Sequence, residues 1–393
     1  MSMKCCIPLL FMVTISLISC KPAELETPQE SAEIASLDFA KLAQKMVELT
    51  EIQSAEGVLL VMEPGDFNPI IDEIKKQVEA KGGSYLGALS ISDHQPDEWS
   101  TDFTKRCENV SEEELRQLFE EVDLGIMLPG ATPADLPYKL LQDMLQSESR
   151  RTIHFHWAGA YDLNGNLLSM DDEIGSFYQN VVLNTDYNQL ASAQVDFEDA
   201  MRNNEIQVTT EAGTDIRFSI GDRPVTKQDG NASASRAMMG KNLIDREIEI
   251  PSGAIRVAPI ESSVNGTIAF PDALWDDEEV NGLKVQIENG KIVNVEAEKG
   301  RDAVLREMEK AGEAGSSFRE FALGFNPLMP IQQVHRPWIP YYGYGAGVVR
   351  LSLGDNTELG GKVTGGYVRW NFFPNATVTV GEEVWVDNGT LVK

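Results

Sequence analysis

The pattern of apolar positions changes near residue 204. Before it, apolar residues at helical spacing alternate with short continuous apolar runs, which is typical of helices alternating with buried strands. The first predicted helix is 37–50, with Phe39, Leu42, Met46 and Leu49 on one face. The others are 70–78, a helix that begins at the Ser111/Glu114 capping box, 136–145 with Asp135 as its N-cap, 171–179 and 187–203. The predicted strands are 57–62, 84–91, 124–128 and 152–157. This alternation predicts an α/β domain with an open, mainly parallel sheet.

From Ile206 onward, short strand-like runs dominate and glycines are scattered among them. The predicted strands are 206–210, 216–220, 255–259, 267–270, 283–288, 291–295, 347–353, 366–371, 377–380 and 383–386, with one helix at 301–311. This pattern predicts a β-rich α+β domain. We therefore expect an α/β domain at 37–204 and a β-rich domain at 205–393.

The first 36 residues have the pattern of an export signal. Lys4 precedes an apolar run from Cys5 to Ile18, which is too short to span a membrane as a helix. The run ends in Leu17-Ile18-Ser19-Cys20, which resembles the lipobox of bacterial lipoproteins. The resemblance predicts a signal peptide at 1–19, lipidation of Cys20 and a tether at 20–36. An ordinary secretory leader with a chance cysteine is the alternative.

Composition narrows the set of partners. The chain has 33 Lys+Arg against 62 Asp+Glu, a formal net charge of −29, so nucleic acid is excluded as an expected partner and electrostatic adhesion to anionic lipid is disfavoured. Membrane attachment is therefore expected through lipid on Cys20. Lys21 follows that cysteine, which by resemblance to lipoprotein sorting predicts the outer membrane, facing either the periplasm or the exterior.

The β-rich half carries a series of short motifs in a fixed order. They are Gly213-Thr214-Asp215, Gly221-Asp222-Arg223-Pro224, Pro251-Ser252-Gly253-Ala254, Asn265-Gly266-Thr267, Glu288-Asn289-Gly290, Arg319-Glu320-Phe321, Val349-Arg350-Leu351-Ser352-Leu353-Gly354 and Val368-Arg369-Trp370-Asn371. Together they resemble the aminopeptidase T (thermophilic aminopeptidase) family. The resemblance extends over 37–393 and is most specific over 213–371.

The resemblance implies a peptidase scaffold with an altered metal site. The family uses two metal ions held by carboxylates and imidazoles. Ala254 stands where the family has a glutamate, Glu320 keeps the glutamate of the family's Gly-Glu-Phe motif, Arg350 replaces a histidine, and Arg369 and Asn371 replace a His-x-Asp pair. An arginine side chain stays protonated and offers no lone pair to a metal. Glu320 is thus the one retained family ligand, and no cofactor is expected.

These five positions are the candidate ligand-binding residues. The two guanidinium groups of Arg350 and Arg369 beside Glu320 predict a mildly positive, metal-free cleft for a small anion, a peptide or a protein partner. In the alternative interpretation, the arginines only pair with neighbouring acids such as Asp355, Glu358 or Glu261.

Three functions remain open at this point. The leading one is a catalytically inactive pseudo-peptidase. The second is an active aminopeptidase that holds two divalent ions around Glu320 with Asp215, Asp355 or Glu261. The third is a structural envelope component. By resemblance to the family, a homodimer is expected.

A pair of histidines offers a further candidate. His154 and His156 are two residues apart in a predicted strand and so share one face. Both packing with hydrogen bonding and metal binding are compatible with this spacing, and no cysteine or acidic partner lies nearby at a motif spacing.

Overall fold

The computed structural model describes residues 37–92, 94–332 and 337–393. They lie within a single compact unit, Ser36–Lys393. The predicted signal peptide, Cys20 and the tether lie outside the described residues. Within those residues, no helix is both long enough and apolar enough to cross a membrane.

Most of the helices match the amphipathic patterns of the sequence, and two short ones, at 102–106 and 234–238, were not predicted. The helices are α1 Phe39–Thr50, α2 Ile70–Ala80, α3 Asp102–Arg106, α4 Glu112–Leu118, α5 Leu136–Met144, α6 Asp172–Asn184, α7 Tyr187–Arg202, α8 Ala234–Met238 and α9 Arg301–Gly315. The capping box at α4 is confirmed, because the Ser111 and Glu114 side chains each accept from the other's backbone N–H. Asp135 is the N-cap residue of α5, as predicted, but its carboxylate accepts from the Thr132 N–H and caps no N–H of the helix.

The strands are mostly short. They are β1 Gly57–Met62, β2 Ser84–Ser90, β3 Leu124–Met127, β4 Arg151–Phe155, β5 Tyr161–Asp162, β6 Ile206–Thr209, β7 Asp215–Phe218, β8 Thr226–Lys227, β9 Glu247–Ile250, β10 Ala254–Val257, β11 Asn265–Ala269, β12 Ala273–Trp275, β13 Glu278–Val280, β14 Lys284–Glu288, β15 Lys291–Glu296, β16 Phe318–Gly324, β17 Trp338–Ile339, β18 Val349–Gly354, β19 Val368–Phe373, β20 Thr377–Val380, β21 Glu383–Asp387 and β22 Thr390–Leu391.

The first half is a three-layer α/β structure, as predicted. Strands β2-β1-β3-β4-β9 form one sheet, and every neighbouring pair in it is parallel. Successive residues of β1 point to opposite faces. Leu60 packs with α1, α2 and α6, whereas Leu59 and Val61 pack with α3 and α5. Helices therefore cover both faces of the sheet, which is the usual arrangement around parallel strands.

The last strand of this sheet comes from beyond the predicted domain boundary. β9 pairs with β4 although it follows residue 204 by more than forty positions. Helix α7, from before that boundary, contributes Leu190, Phe197 and Met201 to the core of the second half. The domain boundary at residue 204 stays a prediction. A strand from after it joins the first sheet, and a helix from before it packs in the core of the second half.

The second half consists of two mainly antiparallel sheets around one core. The five-stranded sheet has the order β19-β18-β16-β10-β8, and the eight-stranded sheet has the order β15-β14-β11-β7-β6-β20-β21-β22. Their facing side chains, among them Phe218, Phe321 and Leu351, form the largest apolar cluster together with α7 and α9. The α/β plus β-rich fold class is confirmed. Strands β9 and β16 were missed in the sequence, and both carry site residues.

Candidate functional site

The site begins at an irregularity in β16. Along this strand Phe318, Phe321 and Leu323 face the core of the second half. The register with β18 shifts between Phe318 and Glu320, so Arg319 is the extra residue of a β-bulge. The bulge lets the adjacent side chains of Arg319 and Glu320 reach the same cluster on the side away from the core.

Glu320 lies at the centre of a buried ionic cluster. Its side chain has no solvent exposure. One carboxylate oxygen accepts from Arg350 Nε at 2.9 Å and lies 2.7 Å from Arg350 Nη2, and the Ser352 hydroxyl is 3.3 Å from the same oxygen. The other oxygen accepts from Arg256 Nη2 at 3.0 Å and lies 3.6 Å from Arg319 Nε. Three guanidinium groups therefore surround one carboxylate.

These charges decide the ionisation of Glu320. Burial alone would raise the pKa of this carboxyl, but the positive charges of Arg256, Arg350 and Arg319 outweigh burial and hold its pKa far below the usual range. The same pairing raises the pKa of Arg256 against the opposing effect of burial. Glu320 is therefore a permanent anion whose charge is already neutralised by the protein.

A second carboxylate completes the cluster from its solvent side. Glu358, on the short turn Thr357–Leu359, accepts from Arg256 Nη2 at 3.1 Å and from Arg319 Nη2. Its side chain is 45% exposed, whereas those of Arg256 and Arg319 are 8% and 3% exposed. Glu358 thus lies at the opening of an otherwise buried group of charges.

The structure separates Arg369 and Asn371 from this cluster. In β19 both residues point to the face opposite Glu320, because they pair with Leu353 and Leu351 of β18, which face the core. Arg369 donates to Glu307 at 2.9 Å and stacks over the Trp275 ring. The expectation that Arg350 and Arg369 flank the same carboxylate is therefore wrong. Arg256 and Arg319 take the place expected for Arg369.

Ala254 is also outside the ionic cluster. Its side chain is 1% exposed and packs in an apolar cluster with Tyr178, Met329, Tyr341 and Tyr344. The position that carries a carboxylate in the aminopeptidase T family is therefore occupied here by a methyl group among aromatic rings.

A cavity of about 280 Å³ opens beside the ionic cluster. Residues of both the parallel sheet and the five-stranded antiparallel sheet line it. The polar and aromatic lining residues are Tyr138, Gln142, His154, His156, Gln228, Glu247, Glu249, Arg256, Tyr342, Tyr344, Arg350, Glu358 and Trp370. Two guanidinium groups thus face three carboxylates. The expectation of a mildly positive cleft is wrong, because the cavity carries both signs of charge.

The acidic side of the cavity comes from β9. Glu247 accepts from the Tyr138 hydroxyl at 3.1 Å and from Gln142 Nε2 at 3.3 Å, and lies 3.8 Å from His154 Nδ1. Glu249 accepts from the Tyr344 hydroxyl. Neutral donors, rather than arginines, therefore hold these two carboxylates.

The predicted histidine pair lies on the same wall. The rings of His154 and His156 are 4.5 Å apart, and the Tyr342 hydroxyl is 3.2 Å from His156 Nε2. Burial, assisted by the neighbouring His154, lowers the pKa of His156 to about 3. His156 is therefore neutral at physiological pH.

Comparisons with known proteins identify a family whose sequence model matches part of this chain. Residues 185–337 match the thermophilic metalloprotease (M29) family. The resemblance to the aminopeptidase T family is thereby confirmed. A comparison with curated proteins found no match.

Two solved structures share the fold of this M29-like chain. The structure of 2,5-dihydroxypyridine dioxygenase from Pseudomonas putida KT2440 aligns with a TM-score of 0.60 and 16% identity, covering 91% of this chain and 98% of that one. Wild-type AmpT from Thermus thermophilus aligns with a TM-score of 0.56 and 13% identity, covering 90% and 99%. At these identities the likeness concerns the fold.

The residues present do not fit the metal pair implied by the M29 family. In the described part of the chain, no three His, Cys, Asp or Glu side chains converge as metal ligands. Asp215 is exposed on β7 and Asp355 accepts from the Gly365 and Gly366 N–H groups, while Glu261 pairs with Arg223. None of the three contributes to the hydrogen bonds or ion pairs of Glu320. A divalent ion beside Glu320 would also meet three guanidinium groups.

Sequence reasoning missed Arg256, Arg319, Glu247 and Glu249 as site residues. The available signal was a charged residue inside an otherwise apolar run, as in Ile255-Arg256-Val257 and Ile248-Glu249-Ile250. A charge that is buried in a strand needs a partner, so such positions mark a paired cluster.

Proposed function

We propose that the protein is a non-hydrolytic, ligand-binding protein built on the aminopeptidase-like scaffold. The observation that carries this proposal is the pairing of Glu320 with Arg256 and Arg350. A carboxylate held by two guanidinium groups has its lone pairs engaged and its charge neutralised. It is therefore unsuited to hold an ion that activates water.

The cavity indicates the chemical class of the ligand. Arg256 supports binding of a carboxylate, and Glu249, which also lines the cavity, supports binding of a cationic amine. Tyr342, Tyr344 and Trp370 add aromatic surface to the lining. A small zwitterion, such as a short peptide, matches this distribution better than a simple anion does.

Activity and binding can be tested on one purified preparation of the lipid-free chain. We expect substoichiometric divalent metal by elemental analysis and no release of leucine from leucyl substrates, with or without added cobalt or zinc. We also expect glycyl-leucine to bind in calorimetry, and an Arg256→Gln variant to bind at least about tenfold more weakly.

The matched control is Arg369→Gln, which removes a guanidinium group from the opposite face of the same sheet. It should bind glycyl-leucine within about twofold of wild type. Stoichiometric metal together with leucine release would establish the active aminopeptidase instead. Absence of binding to glycyl-leucine would remove the proposed ligand class.

The export signal supports a second part of the proposal, a lipid anchor in the bacterial cell envelope. Acylation of Cys20 with two or more chains gives stable attachment. We expect labelled palmitate to be incorporated into the full chain and the protein to fractionate with outer membranes. A Cys20→Ala variant should lose the label. Incorporation of the label into that variant would exclude Cys20 as the attachment site.

A further inference from the structure

Glu358 differs from the other members of the ionic cluster in its exposure. Arg256, Arg319, Arg350 and Glu320 are each at most 8% exposed, whereas the Glu358 side chain is 45% exposed. Its carboxylate nevertheless contacts both Arg256 and Arg319. The structure therefore shows a carboxylate bound at a guanidinium pair, with solvent on its other side.

Without Glu358, the buried part of the cluster carries an excess of positive charge. Arg256, Arg319 and Arg350 surround Glu320, so three cations share one internal anion. A second anion near Arg256 and Arg319 is favourable, because unpaired buried charge is costly. A carboxylate that enters the cavity can make this contact with Arg256, since both Arg256 and Glu358 line the cavity.

The backbone that carries Glu358 is firmly held. Leu359 next to it is fully buried, and the Asn356 side chain accepts from the Val363 N–H at 2.8 Å. Asp355 accepts from the N–H groups of Thr357, Gly365 and Gly366. Movement of Glu358 therefore requires only rotation of its half-exposed side chain, without displacement of the turn.

We propose that Arg256, which lines the cavity, binds carboxylates together with Arg319 at the position where the Glu358 carboxylate lies, and that Glu358 is a tethered carboxylate that occupies this position until a ligand displaces it. This inference rests on the proposed ligand-binding function and assigns the residues that recognise the ligand's acid group. Each ligand must compete with Glu358, so the wild-type affinity for carboxylates is lower than the guanidinium pair alone would give.

The test compares wild type with Glu358→Gln, using acetate as the probe at constant ionic strength. The glutamine keeps the shape but removes the charge, so acetate should bind about three- to tenfold more tightly, the range for loss of one charge-assisted competitor. Without acetate the variant should melt at a lower temperature than wild type, and acetate should recover most of that loss.

Two further variants keep the test decisive. Glu279→Gln makes the same change in net charge at the exposed pair with Lys299 and should bind acetate as wild type does. Glu358→Asp keeps the charge on a side chain shorter by one methylene, and it replaces the glutamine variant in the test if that variant does not fold. Because the shorter side chain contacts both guanidinium groups less well, this variant should also bind acetate more tightly than wild type.

Equal acetate affinity in wild type and both Glu358 variants would overturn the inference and leave the proposed function standing. Conversely, tighter acetate binding by the variants, combined with no glycyl-leucine binding by any protein, would support the carboxylate position and remove the proposed zwitterionic ligand. The two ideas therefore fail on different measurements.

Discussion

Glu320 and Glu247 are two buried carboxylates held in opposite ways on the two sides of the site. Burial would raise the pKa of each, yet each pKa is lowered. For Glu320 the opposing cause is the charge of Arg256, Arg350 and Arg319; for Glu247 it is the adjacent His154 with the Gln142 and Tyr138 donors. The first arrangement neutralises a charge that the family uses for metal. The second arrangement leaves the Glu247 carboxylate beside the cavity without an arginine partner.

The largest expected effect comes from removing the central anion. Among the described residues, Glu320→Gln leaves Glu358 as the one carboxylate within ion-pair distance of these three buried guanidinium groups, so the free energy of unfolding should fall by about 3–5 kcal/mol. Glu247→Gln leaves no buried guanidinium group without its partner and should cost about 1–2 kcal/mol. Urea denaturation monitored by circular dichroism measures both. Equal losses would show that charge pairing does not distinguish the two sites.

Ala254→Glu tests the effect of placing at position 254 the carboxylate that the resemblance to the family assigns there. Its carboxylate would lie among Tyr341, Tyr344 and Met329 rather than beside Glu320. We expect a loss of about 2–4 kcal/mol in unfolding free energy, because a charge would be buried without a cationic partner. Ala254→Ser, which adds one polar atom, is the control. A variant as stable as wild type that gains stoichiometric zinc would contradict this account.

The pH dependence of stability distinguishes the contribution of His156 from that of Glu320. The pKa of His156 is near 6.5 in the unfolded chain and about 3 in the folded protein. Between these two pH values the imidazole is therefore protonated in the unfolded state and neutral in the folded state. Stability should therefore fall as the pH drops from 6.5 towards 3, by about 1 kcal/mol per pH unit from this residue. The contribution of Glu320 is lost only below the unfolded glutamate pKa of about 4.3.

The measurement is the unfolding free energy between pH 6 and pH 4.5, in wild type and His156→Gln. The variant should show a shallower slope across this range even if its absolute stability differs. An unchanged slope would mean that the imidazole is protonated in the folded protein.

The smallest expected effect concerns the far face of the antiparallel sheet. Glu307→Gln removes the partner of Arg369, where both side chains are 17% exposed, and should cost about 1 kcal/mol or less. Because this pair is separated from the cavity, glycyl-leucine affinity should stay within about twofold. A larger change in affinity would place Arg369 back in the binding site.

The sequence predicted the layers better than it predicted the site. Alternating apolar runs gave the parallel sheet, and the ordered motifs identified Glu320 and Arg350 as neighbours. The error at Arg369 arose because motif order does not tell which face of a strand a residue occupies. Residues 369 and 371 face the core, while Trp370 between them lines the cavity.

Arg256 and β9 illustrate the other limit. The ion pair of Arg256 with Glu320 joins residues 64 positions apart, and β9 enters a sheet whose other strands end by Phe155. Such long-range pairings depend on tertiary packing, whereas apolar periodicity reports only local structure.

The β-bulge at Arg319 bears on whether this scaffold can hold a metal ion at Glu320. In the motif Gly-Glu-Phe the residue before the glutamate has no side chain; here the bulge directs a guanidinium group from that position onto the glutamate itself. A variant that carried the family's ligands at positions 254, 350, 369 and 371 would still present Arg319 and Arg256 to an incoming dication. A metal site at Glu320 would therefore require removal of these cations first, through intermediates in which Glu320 is buried with less counter-charge.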